Sequence, residues 1–231
     1  MLPSDVYDSI PKGYFLGVSH PHALLICQIL QWIGVTGPQK DDHENTLVLD
    51  IGSGKGYIDR ILSGHYGIPV FCVDKAAERL KSSSRLHALL KSDSKLDPEL
   101  KALSSLSLVR NYACSITCLE DYNEVCDKAV QFFQTVQNKR EVPRIVVIGL
   151  KLCGDMFYDL AEWHTRSALL TRYSDVRLHI VPCCPHRSFR GGNIEQMVSF
   201  AESLGWGSVF TVALQTPYAG IELRSSPLSL V

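Results

Sequence analysis

Three glycines at alternate positions, directly after an apolar run, constrain the fold of this chain most. The run is residues 46–51, Thr-Leu-Val-Leu-Asp-Ile, and Gly52, Gly54 and Gly56 follow it. The apolar run is typical of a buried strand, and glycine can adopt the dihedrals of a sharp turn from that strand into a helix. Because such a turn has almost no side chains, a ligand can approach its backbone closely.

A second apolar run also ends in an acid. We predict a strand over residues 69–73, followed by Asp74, which lies 24 positions after Asp50. An acid at that place can accept hydrogen bonds from both hydroxyls of a ribose. The Gly-x-Gly-x-Gly spacing differs from the Gly-x-Gly-x-x-Gly of dinucleotide sites and favours S-adenosylmethionine over NAD. The alternative is a strand-to-helix turn that binds nothing. The predicted cofactor residues are Asp50, Gly52, Ser53, Gly54, Gly56 and Asp74.

Length and composition limit the class of protein. A chain of 231 residues with 45% hydrophobic and 20% charged residues suits one ordinary globular α/β domain. Its formal net charge of -1 argues against broad polyanion binding but leaves room for a local basic patch. We see no leader and no membrane-spanning run, so we expect an intracellular protein, cytoplasmic or nuclear, with neither membrane nor DNA as a partner. The eight cysteines are then expected to be reduced.

The remaining pattern alternates strands and helices. Residues 1–18 have no period and are predicted to form a loosely docked arm, which leaves 19–231 as the domain. Helical patterns flank the glycine turn and recur across the chain. The sequence therefore predicts a doubly wound, Rossmann-like α/β fold with a mostly parallel, seven-stranded sheet and a C-terminal antiparallel hairpin. The predicted strands are 46–51, 69–73, 107–111, 144–149, 177–181, 209–214 and 221–223; the helices are 19–34, 57–64, 76–91, 98–103, 120–137, 156–172 and 193–204.

Two further segments follow strands 4 and 5. They read Gly-Leu-Lys-Leu-Cys-Gly-Asp over 149–155 and Val-Pro-Cys-Cys-Pro-His over 181–186. Together with the glycine turn, they resemble the intracellular methyltransferase-like proteins that include the ribosomal-RNA-adenine-dimethylase-domain-containing proteins. They are also similar to some eukaryotic tRNA ribose 2′-O-methyltransferases. The resemblance covers about residues 19–207, and its second signature comprises Cys153, Gly154, Cys183 and Cys184, with Asp155 and His186 beside them.

The resemblance implies a class I methyltransferase fold, S-adenosylmethionine as donor, and RNA, either tRNA or rRNA, as substrate. The chain departs from the pattern in two ways. No Asn-Pro-Pro-Tyr segment follows strand 4, which argues against the usual pocket for exocyclic amino groups. The zinc-binding modules of the tRNA enzymes are absent, so RNA capture would need another surface or a partner protein. The alternatives are a protein or small-molecule methyltransferase, and a catalytically silent cofactor-binding subunit of a larger complex.

Methyl transfer often needs a base that removes a proton from the acceptor. Asp155 and His186 are the predicted base or positioning residues, and Lys151 would orient a phosphate or hydroxyl. Each has a structural alternative: a helix cap for Asp155, a backbone-bonded loop residue for His186, and a solvated lysine. For the cysteines we expect packing at strand ends rather than nucleophilic catalysis on a pyrimidine or zinc binding, and we predict no metal site.

A local excess of arginine lies between His164 and Arg190. This stretch has five arginines and a single acid, Asp175. If these side chains lie at the mouth of the crevice, they form a phosphate-binding rim; otherwise they are a solvated surface. The predicted rim comprises Arg166, Arg172, Arg187 and Arg190.

Overall fold

The structure, a computed structural model, describes most of the chain. The described residues are 2–36, 43, 45–76, 108–140, 142, 144–153, 155–184, 193–206, 208–213 and 219–224. The predicted helices at 76–91, apart from its first residue, and at 98–103 lie outside them. None of the helices within these ranges is both long and apolar enough to cross a membrane.

Within these ranges, seven strands form a single sheet in the order β3-β2-β1-β4-β5-β7-β6. Strands β1 to β5 pair in parallel, whereas β7 pairs antiparallel with both β5 and β6. This confirms the predicted α/β class, the mostly parallel sheet and the antiparallel hairpin at its end. The strands are β1 Thr46–Ile51, β2 Val70–Asp74, β3 Val109–Ala113, β4 Arg144–Cys153, β5 Val176–Cys184, β6 Ser208–Ala213 and β7 Ala219–Arg224.

Helices cover both faces of this sheet. The predicted single helix over 156–172 is interrupted at Ser167, whose extended backbone (φ −74°, ψ 152°) separates two helices. The helices are α1 Pro3–Ser9, α2 His20–Trp32, α3 Tyr57–Gly64, α4 Leu119–Gln137, α5 Met156–Arg166, α6 Ala168–Arg172 and α7 Ile194–Ser203, with a 3-10 turn at Lys12–Phe15.

Alternate residues of β1 enter two separate cores. Leu47 and Leu49 pack with α4 and α5 on one face, while Val48 packs with α2 and α3 on the other. All six residues of the strand are therefore buried. This is why β1 reads as a continuous apolar run rather than an alternating one.

Residues 2–18 pack against the domain, whereas the sequence analysis predicts a loosely docked arm over 1–18. Val6, Ile10 and Tyr14 are spaced four apart, and all three are buried in the core that contains α2 and α3. The buried Arg60 of α3 fixes the end of this segment, since its Nη2 donates a hydrogen bond to the Leu16 carbonyl at 2.9 Å. The segment therefore forms part of the wall behind the glycine turn.

Candidate functional site

The glycine turn has the geometry that its sequence predicts. Gly52, Gly54 and Gly56 have φ values of 76°, 60° and 64°, in the left-handed region where L side chains are strained. The backbone N–H groups of Gly52 and Ser53 donate to the Val73 carbonyl at 2.7 and 3.1 Å. The turn is therefore tied to the end of β2, and its position does not depend on a ligand.

Asp74, the predicted ribose acid, holds the same turn. It ends β2 and is 4% exposed. Its Oδ2 accepts the Gly54 N–H at 3.0 Å, and its Oδ1 accepts the Ala76 N–H at 2.8 Å. Asp74 therefore stabilises the turn, a role that the sequence analysis did not predict, and its role as the ribose acid stays a prediction.

Two buried carboxyl groups lie beneath the turn. Asp50, at the end of β1, and Asp59, in α3, are 2% and 1% exposed. Burial raises the pKa of Asp50 well above its ordinary value, and the charge of Asp59 raises it further. Burial also raises the pKa of Asp59. Two adjacent buried carboxyls cannot both ionise without a counter-charge, so the pair retains a proton. The sequence analysis missed Asp59.

A cavity of about 450 Å³ opens beside the turn, within the size range of small-molecule sites. One wall is the turn with Asp50, and the opposite wall is the first half of α2 with the residues just before it. The surface between these walls is mostly aliphatic. The lining comprises Gly17, Val18, Ser19, His22, Leu25, Ile26, Ile29, Asp50, Gly52, Ser53, Gly54, Lys55, Tyr57, Ile58, Leu150 and Val181.

Asp50 and Ser53 contribute polar side chains to the lining of this cavity. One oxygen of each, Asp50 Oδ1 and Ser53 Oγ, is buried and has no hydrogen-bond partner among the described residues. An unpaired buried polar atom costs about 1–3 kcal/mol. S-adenosylmethionine has an ammonium group and ribose hydroxyls that donate, and a positive charge that an acid favours. The residues at this site therefore fit that donor.

The second signature lies at the same edge of the sheet. We predicted that strands 4 and 5 end at 149 and 181, but both continue, and Cys153 and Cys184 are paired in register. The pairing is irregular near Leu150 and Leu152, where the register shifts. The backbone therefore brings the two cysteine-bearing segments together, as strand and not as loop. Gly154, His186 and the side chains of Lys151, Cys153, Cys183 and Cys184 lie outside the described residues, so their roles stay predictions.

Asp155, the other predicted base, occupies the residue before α5. Its side chain makes no capping hydrogen bond to this helix, and it does not line the cavity. Elsewhere in the described part of the chain, no group of three or more His, Cys, Asp or Glu side chains could hold a metal ion.

Topology contradicts the predicted arginine rim for two of its four members. Helix α5 leads from the carboxyl end of β4 back towards the amino end of β5, so Arg166 and Arg172 lie at the edge of the sheet opposite the glycine turn. Both are exposed and paired with acids: Arg166 with Glu162 at 3.4 Å, and Arg172 with Asp127 at 2.8 Å. They form a solvated surface. Arg187 and Arg190 lie outside the described residues.

A serine–histidine pair on α2 was missed by the sequence analysis. Ser19 Oγ lies 2.9 Å from His22 Nδ1, and both residues line the cavity opposite the turn. The available signal was the segment Ser-His-Pro-His, which we interpreted only as a helix start. A single sequence does not show that the helix packs its first turn against a distant strand end.

Comparisons with known proteins agree with this geometry. A family model described as a methyltransferase domain matches residues 24–188. No curated protein matches the chain. Among solved structures, the chain is similar to magnesium protoporphyrin IX methyltransferase from Synechocystis with bound S-adenosylmethionine, at 12% identity, 89% and 80% coverage of the two chains and a TM-score of 0.51. 

Two further structures also match the chain. An RNA methyltransferase from Salinibacter ruber in complex with S-adenosyl-L-homocysteine has 12% identity, 90% and 95% coverage and a TM-score of 0.47. An rRNA methylase from Streptococcus thermophilus has 14% identity, 90% and 98% coverage and a TM-score of 0.46. At such identities a structural likeness shows only the fold, whereas the family model covers most of the chain. The chain therefore belongs to this methyltransferase-domain family and is an S-adenosylmethionine-dependent methyltransferase.

Proposed function

We propose that S-adenosylmethionine binds between the glycine turn and the first half of α2. The observation that carries this is the turn of three left-handed glycines, of which Gly52 and Gly54 line a cavity together with Asp50 and Ser53. Asp50 would accept from the ammonium group, and Asp74 from a ribose hydroxyl. The donor supplies a methyl group on a positively charged sulfur, and Asp50 places negative potential next to it.

We further propose that the acceptor is RNA. The support is the pair of segments on which the resemblance to RNA methyltransferases rests. Both continue strands that end at the edge of the sheet where the donor would bind, and Cys153 and Cys184 are register partners there. With Arg166 and Arg172 at the other edge, the described residues offer no arginine rim for RNA. RNA capture would therefore need another surface or a partner protein.

The aliphatic wall of the cavity favours a second candidate acceptor. Leu25, Ile26 and Ile29 of α2 line this cavity together with Leu150 and Val181. Such a surface would bury an apolar small molecule as readily as an unstacked base. The second candidate is therefore a small apolar acceptor.

The donor site is tested with Asp74→Ala. Losing the carboxylate removes the hydrogen bond to Gly54 and the proposed ribose contact, so we expect the donor to bind more weakly by about 1.5–3 kcal/mol in calorimetry. Asp121→Ala is the matched control, because this carboxylate also accepts a backbone N–H, from Thr117 at 2.9 Å, but at the start of α4 and not at the glycine turn. Equal donor affinity in the two variants would refute the assignment.

The acceptor is tested by methyl transfer from labelled donor. Purified protein, with and without a cell extract, is given total RNA, protein and small-molecule fractions in parallel. If RNA is labelled only when the extract is present, the result supports RNA as the acceptor and the need for a partner protein. Label in the small-molecule fraction alone replaces RNA with the second candidate, and label in protein refutes both. Tight donor binding with no transfer to any fraction identifies a silent subunit.

A further inference from the structure

The wall opposite the glycine turn contains an exposed histidine that no family motif assigns. His22 lies in the first turn of α2 and lines the cavity together with Ser19. Asp50 and Ser53 line the same cavity, at the turn where the donor would bind. His22 is thus a titratable side chain at the cavity of the proposed donor site.

The ring of His22 is held by a specific contact. Ser19 is the residue before α2, where a serine usually caps the helix by accepting a backbone N–H, but its side chain makes no such bond. Its Oγ instead lies 2.9 Å from His22 Nδ1. When Nδ1–H donates to this hydroxyl, the neutral ring carries its lone pair on Nε2, whereas a hydroxyl that donates to Nδ1 leaves the proton on Nε2. The contact holds the ring in either case, and the first tautomer is the one that a base needs.

The neighbouring His20 provides an internal comparison. Its ring packs edge-on against Tyr7, with centroids 5.1 Å apart, and it does not line the cavity. The two histidines share a helix turn and are both exposed, but only His22 faces the donor site. The charged or titratable groups that share the cavity with His22 are Asp50, Lys55 and Tyr57.

We propose that His22, oriented by Ser19, is the general base of methyl transfer, an inference that rests on the donor site proposed above. The acceptor's lone pair forms a bond to the methyl carbon while the carbon–sulfur bond breaks, and that electron pair neutralises the sulfonium. The acceptor's proton passes to His22 Nε2. Because the imidazolium is exposed, it then loses this proton to solvent.

This assignment also defines the acceptor group. A base is needed only where the acceptor group loses a proton, so a carboxylate or phosphate oxygen needs none. The reacting group is therefore one that carries a transferable proton, such as a ribose hydroxyl or a base N–H.

The test measures the pKa of His22 by NMR titration of the ring Cε1–H, with His22→Gln to assign the signal. The protein is saturated with S-adenosylmethionine or with S-adenosylhomocysteine, which differ by the methyl group and the positive charge on sulfur. If His22 faces the sulfonium, protonation of its ring should be disfavoured in the S-adenosylmethionine complex relative to the S-adenosylhomocysteine complex. His20 should titrate alike in both complexes.

Three results have distinct meanings. A selective shift at His22 supports the inference. An equal pKa of His22 in the two complexes overturns it while leaving the donor site intact, since both ligands still bind. If calorimetry detects no binding of either ligand, the proposed donor site fails and the inference falls with it. Ser19→Ala adds a check, because it should alter the Nδ1 and Nε2 chemical shifts of His22 without abolishing donor binding.

Discussion

His164 makes the free energy of unfolding depend on pH in a way that can be calculated. It is fully buried in α5, its Nδ1 lies 2.7 Å from Tyr122 Oη, and its ring stacks on Trp206 at 5.5 Å. Its Nε2 has no hydrogen-bond partner among the described residues. Burial lowers its pKa to about 3. A protonated ring would place an unpaired charge in the core.

The sign and size of this pH dependence follow from the linkage between proton binding and folding. Below its ordinary pKa of about 6.5 the unfolded chain binds a proton at this histidine and the folded protein does not, so stability falls as the pH falls. Between pH 7 and pH 5 the loss is about 2 kcal/mol, since the folded state stays neutral until the pH approaches about 3. Asp50 and Asp59, whose pKa values are raised, act in the opposite direction over their own range. A single pH profile therefore mixes the two effects.

A variant of His164 separates its effect on stability from that of the two carboxyl groups. His164→Gln keeps an acceptor for the Tyr122 hydroxyl but cannot titrate. Urea unfolding at pH 7 and pH 5 should show that wild type loses about 2 kcal/mol more than this variant over the interval. His20→Gln, at an exposed ring, is the control and should follow wild type. If wild type and His164→Gln have the same pH dependence, the ring is not a neutral, desolvated group in the folded state.

Three further outcomes are expected. Gly52→Ala and Gly67→Ala should each cost about 1–2 kcal/mol of unfolding free energy because both glycines have positive φ, but only the first should weaken donor binding, by at least about tenfold in calorimetry. Donor binding should release protons near Asp50, so its enthalpy should differ between phosphate and Tris buffers, whereas identical enthalpies would mean that no proton leaves. Replacing Arg166 and Arg172 with Glu should leave the salt dependence of any RNA binding unchanged. A flatter slope of affinity against salt concentration would mean that these arginines contact the RNA.

The donor half of the site was predictable because its geometry is local. The positive φ values of Gly52, Gly54 and Gly56 require glycine, and a strand followed by such a turn and a helix is encoded within about twenty residues. Asp74 was found because acids at the ends of neighbouring parallel strands must lie at one edge of a sheet. Its hydrogen bond to Gly54 was not predictable, since the pattern does not specify which donor a carboxylate meets.

The acceptor half was not predictable because distant parts of the chain build it. His22 faces Asp50 only because α2 packs against β1 and β4, and Asp59 meets Asp50 only through the register of α3 on the sheet. The arginine rim failed for a related reason. A charge count along the sequence does not distinguish the two ends of a helix that returns from one edge of the sheet to the other, whereas the strand order does.

The position of the α2 wall is set at the far end of that helix. Trp32, its last residue, donates from Nε1 to Glu222 Oε2 of β7 at 3.1 Å, and its ring lies edge-on to His179 of β5 at 4.7 Å. Gly220 leaves room for this indole, because a Cβ there would collide with it. A helix of 13 residues is about 20 Å long, so a small tilt at Trp32 moves His22 by a larger amount. None of the described residues of the antiparallel hairpin thus lines the cavity, yet the hairpin anchors the helix that carries His22.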